Sequence, residues 1–184
     1  MSLLIETPRC VIRAWQPERD RAGLMRMTSD AEMMRYITGG ETWDDARVDG
    51  LFARQARSMA AHGVCVGALC RKDDGEIVGI VGVQPLDRLD GFDLGWWIWR
   101  AYWNQGLATE AAIASCDDAF GRAGLQRLYA CIDPDNHASH GVARKLGMRA
   151  IGRMKASETG SWRNDALVDV YELTRPDWQA QRLR

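Results

Sequence analysis

The sequence predicts a mixed α/β fold, with helices on both faces of a central mixed sheet, built as one domain over residues 1–184. Three observations lead there. Three apolar, β-branched runs follow one another between residues 64 and 100, and strands joined by such short turns are antiparallel. A long helical stretch then separates the third run from a fourth, at 126–132, which makes that pair a parallel crossover. A chain of 184 residues, 46% hydrophobic and 27% charged, can bury one core without a disulfide or a metal. The mixed strand directions exclude a doubly wound nucleotide-binding sheet.

The elements follow in order. Residues 8–16 read as a first strand. Pro17 opens a helix over 17–28, since proline is tolerated in a first turn. Thr42-Trp43-Asp44-Asp45 resembles a capping box with aspartate in place of glutamate, and the helix behind it runs to about His62 and stops at Gly63. Strands at 64–71 and 76–84 flank Asp73-Asp74-Gly75, a hairpin turn that tolerates positive φ. Gly79 and Gly82 inside the second strand mark a close approach or a bulge. After Leu89-Asp90-Gly91 come a strand at 93–100, a helix at 105–123 closed by Gly124, and the strand at 126–132. A helix at 137–146 stops at Gly147, and two strands, 148–154 and 166–174, enclose a polar loop. Pro176-Asp177-Trp178 opens a short tail.

Charge and composition exclude several classes. With 24 basic and 25 acidic side chains, the net charge of −1 argues against direct nucleic-acid binding, which needs a basic face. No apolar run approaches the roughly 20 residues of a membrane helix, and the N-terminus has no signal-peptide pattern, so a cytoplasmic protein is expected. Cys10, Cys65, Cys70, Cys116 and Cys131 are scattered and form no CxxC pair, so they read as reduced thiols. His137 and His140 lie three apart with no third ligand nearby and read as surface residues, and no metal is expected.

The stretch from Trp97 to Ala111 carries the chemistry. A β-rich run ends, a short loop follows, and a helix opens on Gly106 and Ala108. Small residues leave the first-turn N–H groups accessible; these donors lack intrahelical partners and the helix dipole adds positive charge. Such a helix start suits a phosphate or pyrophosphate. A plain strand–loop–helix junction packed with small residues is the alternative.

Gln105-Gly106-Leu107-Ala108-Thr109-Glu110-Ala111 resembles the acetyl-CoA pyrophosphate loop of the GNAT superfamily of N-acetyltransferases, usually Gln/Arg-x-x-Gly-x-Gly/Ala. Gly106 and Ala108 fill the last two fixed positions, and Trp103 departs from the first. Asp135-Asn136-His137-Ala138-Ser139 and Lys145-Leu146-Gly147-Met148 are similar to the Asn-x-x-Ser and Lys-Leu-Gly-Phe of the ribosomal-protein N-terminal acetyltransferase branch. Glu6-Thr7-Pro8-Arg9, with the strand that ends in Ala14-Trp15, is a third match.

The resemblance implies a splayed sheet, opened between the strands at 93–100 and 126–132, with the pantetheine arm of acetyl-CoA paired to the backbone of Trp97, Ile98 and Trp99. The pyrophosphate would sit on the amides of Gln105, Gly106, Leu107, Ala108 and Thr109, and Asn136 would bond the cofactor arm, a role compatible with a helix cap. It also implies direct transfer of acetyl to an amine. Glu158 would accept the amine proton, with Asp93 as the rival base; Ser139 would protonate the departing thiolate; an N–H near Ile98 or Trp99 would meet the oxyanion. Without that chemistry Ser139 is a cap, Glu158 a solvated loop carboxylate and Asp93 an ordinary strand residue.

Four tryptophans crowd this region. Alternation puts Trp97 and Trp99 on one face and Trp96 on the other; with Trp103 they read as core, or as an aromatic wall of the cleft. Glu110 reads as a structural first-turn charge. Asp44, Asp45 and Asp49 read as a solvated helix face, or else an acidic acceptor rim. The expected acceptor is a primary amine, a protein N-terminal α-amino group, contacted by loops at 28–45 and 155–165. A small amine (antibiotic, polyamine or amino-acid analogue), a non-catalytic acyl-CoA-binding domain and an interaction module are the other readings. The protein is expected as a monomer or a homodimer joined through the strand at 166–174 or the Trp178 tail.

Overall fold

A computed structural model of the chain describes residues 3–160 and 166–183. Its strands are β1 (Leu4–Glu6), β2 (Cys10–Arg13), β3 (Val66–Arg71), β4 (Ile77–Pro85), β5 (Phe92–Ile98), β6 (Arg127–Ile132), β7 (Arg149–Lys155) and β8 (Leu167–Thr174). The helices are α1 (Pro17–Thr28), α2 (Ala31–Thr38), α3 (Asp45–His62), α4 (Leu107–Phe120), α5 (His137–Lys145), the short α6 (Ala156–Thr159) and α7 (Arg175–Arg182). The strands form one sheet in the order β1-β2-β3-β4-β5-β6-β8-β7. The antiparallel run from β3 to β5 and the parallel β5–β6 crossover are as the sequence predicts.

Helices cover both faces. On one, Leu24, Met27, Met34, Val48 and Leu51 of α1–α3 pack on Ala68 and Ile80. On the other, Ala112, Cys116 and Phe120 of α4 and Val142 of α5 pack on Leu94, Leu128 and Ala130. Each buried Leu, Ile, Val, Met or Phe side chain among them stabilises the fold by roughly 1.5–3 kcal/mol.

The structure corrects four expectations. The first strand is a hairpin: Thr7-Pro8-Arg9 turns the chain, β1 pairs with β2, and the Thr7 hydroxyl accepts from the Cys10 N–H at 2.8 Å. Residues 28–45 are not simply loop, for α2 lies within them. Asp30 caps it, accepting from the Glu32 and Met33 N–H groups, and Gly39 ends it at φ +77°. The cap of α3 is Asp44, which accepts from the Arg47 N–H at 2.9 Å, and not Thr42. Finally, the tail is a helix. Trp178 of α7 is buried, stacks near Phe120 and donates to Asp117 Oδ1 at 2.9 Å.

That last point and the strand order remove the expected dimer contacts. Trp178 is spent inside its own chain, and β8 lies between β6 and β7 with no open edge. The glycines of β4 mark close approaches. A Cβ on Gly79 would meet the Trp97 carbonyl oxygen at 2.7 Å, and one on Gly82, at φ +144°, the Cys65 carbonyl oxygen at 2.3 Å. All five cysteines are free thiols, and burial pushes that of Cys65 up to about 11. His140 is buried, unlike the surface residue expected; its ring nitrogens contact the Tyr171 hydroxyl at 3.0 Å and the Pro134 carbonyl at 3.2 Å. Among the described residues no helix is long and apolar enough to cross a membrane.

Candidate active site

β5 and β6 pair only at Phe92–Leu128 and Asp93–Tyr129. Beyond that point β5 stays with β4, while β6 stays with β8, so the two strands part. The Asp93 carboxylate sits at the fork and accepts a long hydrogen bond, 3.4 Å, from the Cys131 N–H. A cleft of about 560 Å³ opens here, walled by α2 and α3 at one side and by the start of α4 and by α5 at the other.

Antiparallel alternation decides which β5 groups face the fork. The Trp99 N–H donates to the Val78 carbonyl at 2.8 Å, so the backbone of Trp99, and of Trp97 two residues back, points at β4. Trp96 and Ile98 point the other way. Of the residues expected to pair with the cofactor arm, Ile98 turns its backbone to the fork, as Trp96 does, whereas Trp97 and Trp99 turn theirs to β4. The Ile98 carbonyl is already taken by the Trp103 indole N–H at 2.7 Å, which leaves the Ile98 N–H. Trp103, the departure from the family motif, thus fastens the loop to the end of β5.

The loop itself is shaped for an anion. Asn104 (φ +59°) and Gly106 (φ +78°) are both left-handed, and Gly106 starts α4 with no side-chain cap. The N–H groups of Leu107, Ala108 and Thr109 have no intrahelical carbonyl by helix geometry, and all three residues line the cleft with Gly106. Gln105 does not line it; its side chain reaches the Ala101 carbonyl. A thioester-bearing nucleotide fits these features: an uncapped helix start for its phosphates and an opened strand edge for its amide-bearing arm. Acetyl-CoA supplies an activated acetyl group and a thiolate leaving group.

Asn136 and Ser139 lie at the start of α5 and both line the cleft. The Asn136 side-chain oxygen accepts the Ser139 N–H at 3.1 Å, so it caps the helix and its amide donors stay available. The Ser139 hydroxyl accepts from the Trp96 indole at 3.2 Å, which occupies one lone pair and leaves its own proton to give. Lys145, at the far end of the same helix, also lines the cleft.

The opposite wall is made of side chains. Met33, Tyr36 and Ile37 come from α2, and Leu51, Arg54 and Gln55 from α3. Trp97 lines it too and meets Trp43 edge to face at 5.8 Å. Trp99 does not; Arg26 stacks over its ring at 4.1 Å. Gln55 is buried. It accepts from the Val66 N–H at 2.8 Å and donates to Gln84 Oε1 at 3.1 Å, which turns the Gln84 amide outward as a donor. Gln84 is the cross-strand partner of Asp93.

The structure brings Asp93 and Ser139 to one cleft but not Glu158. Glu158 is exposed, and its carboxylate turns back to accept the Lys155 N–H at 2.7 Å. Residues 161–165 of the expected acceptor loop lie outside the described residues. Asp45 and Asp49 pair with Arg21 and face away from the cleft lining, as a solvated helix face does.

Glu110 links two motifs a hundred residues apart. Its carboxylate accepts from the Thr7 hydroxyl at 2.7 Å, the Arg9 N–H at 2.9 Å and the Arg9 guanidinium at 2.7 Å. Burial opposes its charge, yet these donors together hold its carboxyl below the usual glutamate range. The first hairpin is thereby tied to the helix that would carry the pyrophosphate.

The sequence missed Arg54, Gln55, Gln84, Tyr36 and Lys145. The i, i+3, i+4 sets Met33-Tyr36-Ile37 and Leu51-Arg54-Gln55 were the available signal, each marking one helix face.

An opened sheet edge facing an uncapped helix start is the architecture of acetyl-CoA-dependent acetyl transfer, and the chain belongs to the family described as the acetyltransferase (GNAT) domain, which matches residues 9–149. It is an N-acetyltransferase that uses acetyl-CoA. Among its relatives is the uncharacterized N-acetyltransferase YnaD of Bacillus subtilis (strain 168), 30% identical over 152 residues, or 82% of this chain and 85% of that one. The crystal structure of an acetyltransferase (GNAT family) from Bacillus anthracis shares the fold with a TM-score of 0.76 at 23% identity, covering 95% of this chain and 99% of that one. A ribosomal-protein-S5-alanine acetyltransferase from Vibrio fischeri shares it with a TM-score of 0.74 at 18% identity, covering 96% and 98%.

Proposed function

We propose that this enzyme acetylates a primary amine, the α-amino group of a protein N-terminus of the ribosomal-protein type, with Asp93 as general base and Ser139 as general acid. The observation that carries the catalytic part is that Asp93 and Ser139 reach one cleft from two sides of the strand fork. An amine is protonated near neutral pH and must lose a proton to attack. Asp93, at the fork, accepts it directly or through one water. The Ile98 N–H lies along the opened edge and meets the oxygen that gains charge. The Ser139 hydroxyl, with a lone pair held by Trp96, gives its proton to the departing sulfur. Backbone N–H groups of Gly106, Leu107, Ala108 and Thr109 hold the pyrophosphate, and the free amide of Asn136 bonds the arm. Glu158 remains the competing base from the motif resemblance, and its placement in α6 favours it less.

The N-terminal acceptor rests on the Asn136–Ser139 and Lys145–Met148 motifs and on the fold shared with an S5-alanine acetyltransferase. The free thiols suit a cytoplasmic setting. Thiol release from acetyl-CoA, measured with N-terminal peptides, polyamines and aminoglycosides, tests the reading. Saturable turnover on peptides supports it; turnover confined to small amines replaces the acceptor and keeps the mechanism.

A further inference from the structure

We infer that the acceptor carries a carboxylate close to its reactive amine, and that Arg54 on α3 is the residue that recognises it. This deepens the proposed function and rests on it. Among the described residues two cations line the cleft, Lys145 on the α5 side and Arg54 on the wall opposite. Lys145 ends α5, on the sheet face that also carries α4, whose start is the proposed phosphate site. Arg54 stands with Tyr36 and Leu51, away from those elements.

Many arginines of this chain meet carboxylates, as Arg9 does with Glu110, Arg13 with Asp20, Arg153 with Asp169 and Arg182 with Asp117, while a few on the surface do not; Arg54 is the arginine among the described residues that lines the cleft. Among the described residues Arg54 has no ion pair and no hydrogen-bond partner. The cleft walls, and after them the like charge of Arg57 one turn on, press its pKa down from the ordinary arginine value, as befits a cation without a counter-charge.

The groups around it are donors as well. Gln55 fixes Gln84 so that its amide N–H groups turn outward, and the Tyr36 hydroxyl has no partner among the described residues. Among the described residues two carboxylates line the cleft, Asp93 at the fork facing this wall through its cross-strand partner Gln84, and Asp133 just past β6. A ligand that satisfies the wall places an ammonium at Asp93 and an anion at Arg54, whose planar fork binds a carboxylate through two parallel hydrogen bonds. That group is the α-carboxylate of a free amino acid, or the side chain of an acidic residue at a peptide N-terminus.

Matched acceptor pairs test the idea through thiol release: an amino acid against its carboxamide, and peptides with N-terminal Glu against Gln or Asp against Asn. The expected result is a preference of roughly tenfold or more in kcat/KM for the carboxylate member of one pair. The pair that shows it identifies the source. Arg54→Gln should lower kcat/KM on that carboxylate member at least tenfold more than on its neutral twin, and Arg54→Lys should restore part of the difference. Equal turnover of both members of every pair overturns the inference and leaves the N-acetyltransferase reading intact. So does a preference that survives Arg54→Gln. Turnover on none of the acceptors, with acetyl-CoA still bound, counts against the proposed acceptor and this inference together.

Discussion

The two walls of the cleft present different kinds of group. The wall formed by β5, the loop after it and the start of α4 offers a ligand backbone groups, the Ile98 N–H and the first-turn N–H groups of α4. The wall formed by α2 and α3 works through side chains whose positions depend on packing against β3 and β4. Backbone groups are the same in every sequence, so a chain needs only small residues and a left-handed glycine to present them. Side-chain recognition can change with each residue. The shared cofactor and the private acceptor of an enzyme family divide along that line.

The largest test falls at the fork, where the Asp93 side chain enters the cleft between the two walls. Asp93→Asn should lower kcat by roughly 10²–10⁴-fold, the usual worth of general-base catalysis, with little change in acetyl-CoA affinity. The deficit should shrink as pH rises past about 8, where solvent deprotonates an α-amino group. A lysine-like amine, with its higher pKa, would show no such recovery below about pH 10. If Glu158→Gln causes the larger loss, the roles of the two carboxylates exchange and the fork is not the catalytic centre.

Ser139→Ala should cost less, about tenfold in kcat. A thiol with a pKa near 8.5 is a fair leaving group, so protonating it helps less than deprotonating an amine. The readout is kcat at saturating acetyl-CoA, and a loss confined to KM would make Ser139 a binding residue through its Trp96 contact.

The legibility of the sequence follows the same division. The β3–β5 run, the crossover and the glycine-opened start of α4 were readable because period, turn chemistry and glycine placement are local. The β1–β2 hairpin was not: Pro8 sits inside a run that alternates like one strand, and the turn is held by Thr7 bonding Cys10. α2 was hidden by its length of eight residues and the Gly39-Gly40 behind it. What stayed open at Trp97 and Trp99 was parity. Alternation gives two sets of residues, and only the strand on the other side decides which set faces the fork. Arg54 was one arginine among many until the fold showed which of them lines the cleft without a partner.

Glu110 joins a local motif to a distant one, and pH exposes the joint. Its folded pKa is depressed, so the stability it contributes is present above the ordinary glutamate range and is lost as pH falls through the lower folded value. Glu110→Gln should reduce stability by roughly 1.5–3 kcal/mol at pH 7, mainly through the Thr7 and Arg9 N–H bonds, because the Arg9 guanidinium is half exposed. Melting temperatures of wild type and variant should converge below about pH 4. A gap that persists in acid would place the contribution in packing and not in charge.

The smallest effect is the most direct test of the division, because Trp103 is a side chain that serves the backbone wall. The indole holds the Ile98 carbonyl at 2.7 Å and so keeps the loop against the end of β5. Trp103→Phe keeps the ring and removes the donor. The freed carbonyl faces the cleft, where water replaces the lost partner, so the net change is that of one neutral hydrogen bond, about 0.5–1.5 kcal/mol. The KM for acetyl-CoA should then rise roughly two- to tenfold with kcat nearly unchanged. Trp103→Gln, which restores the amide found at this position in the family motif, should stay closer to wild type. If kcat falls in Trp103→Phe while KM holds, the indole aligns the Ile98 N–H with the reacting oxygen, and the backbone wall depends on a particular side chain after all.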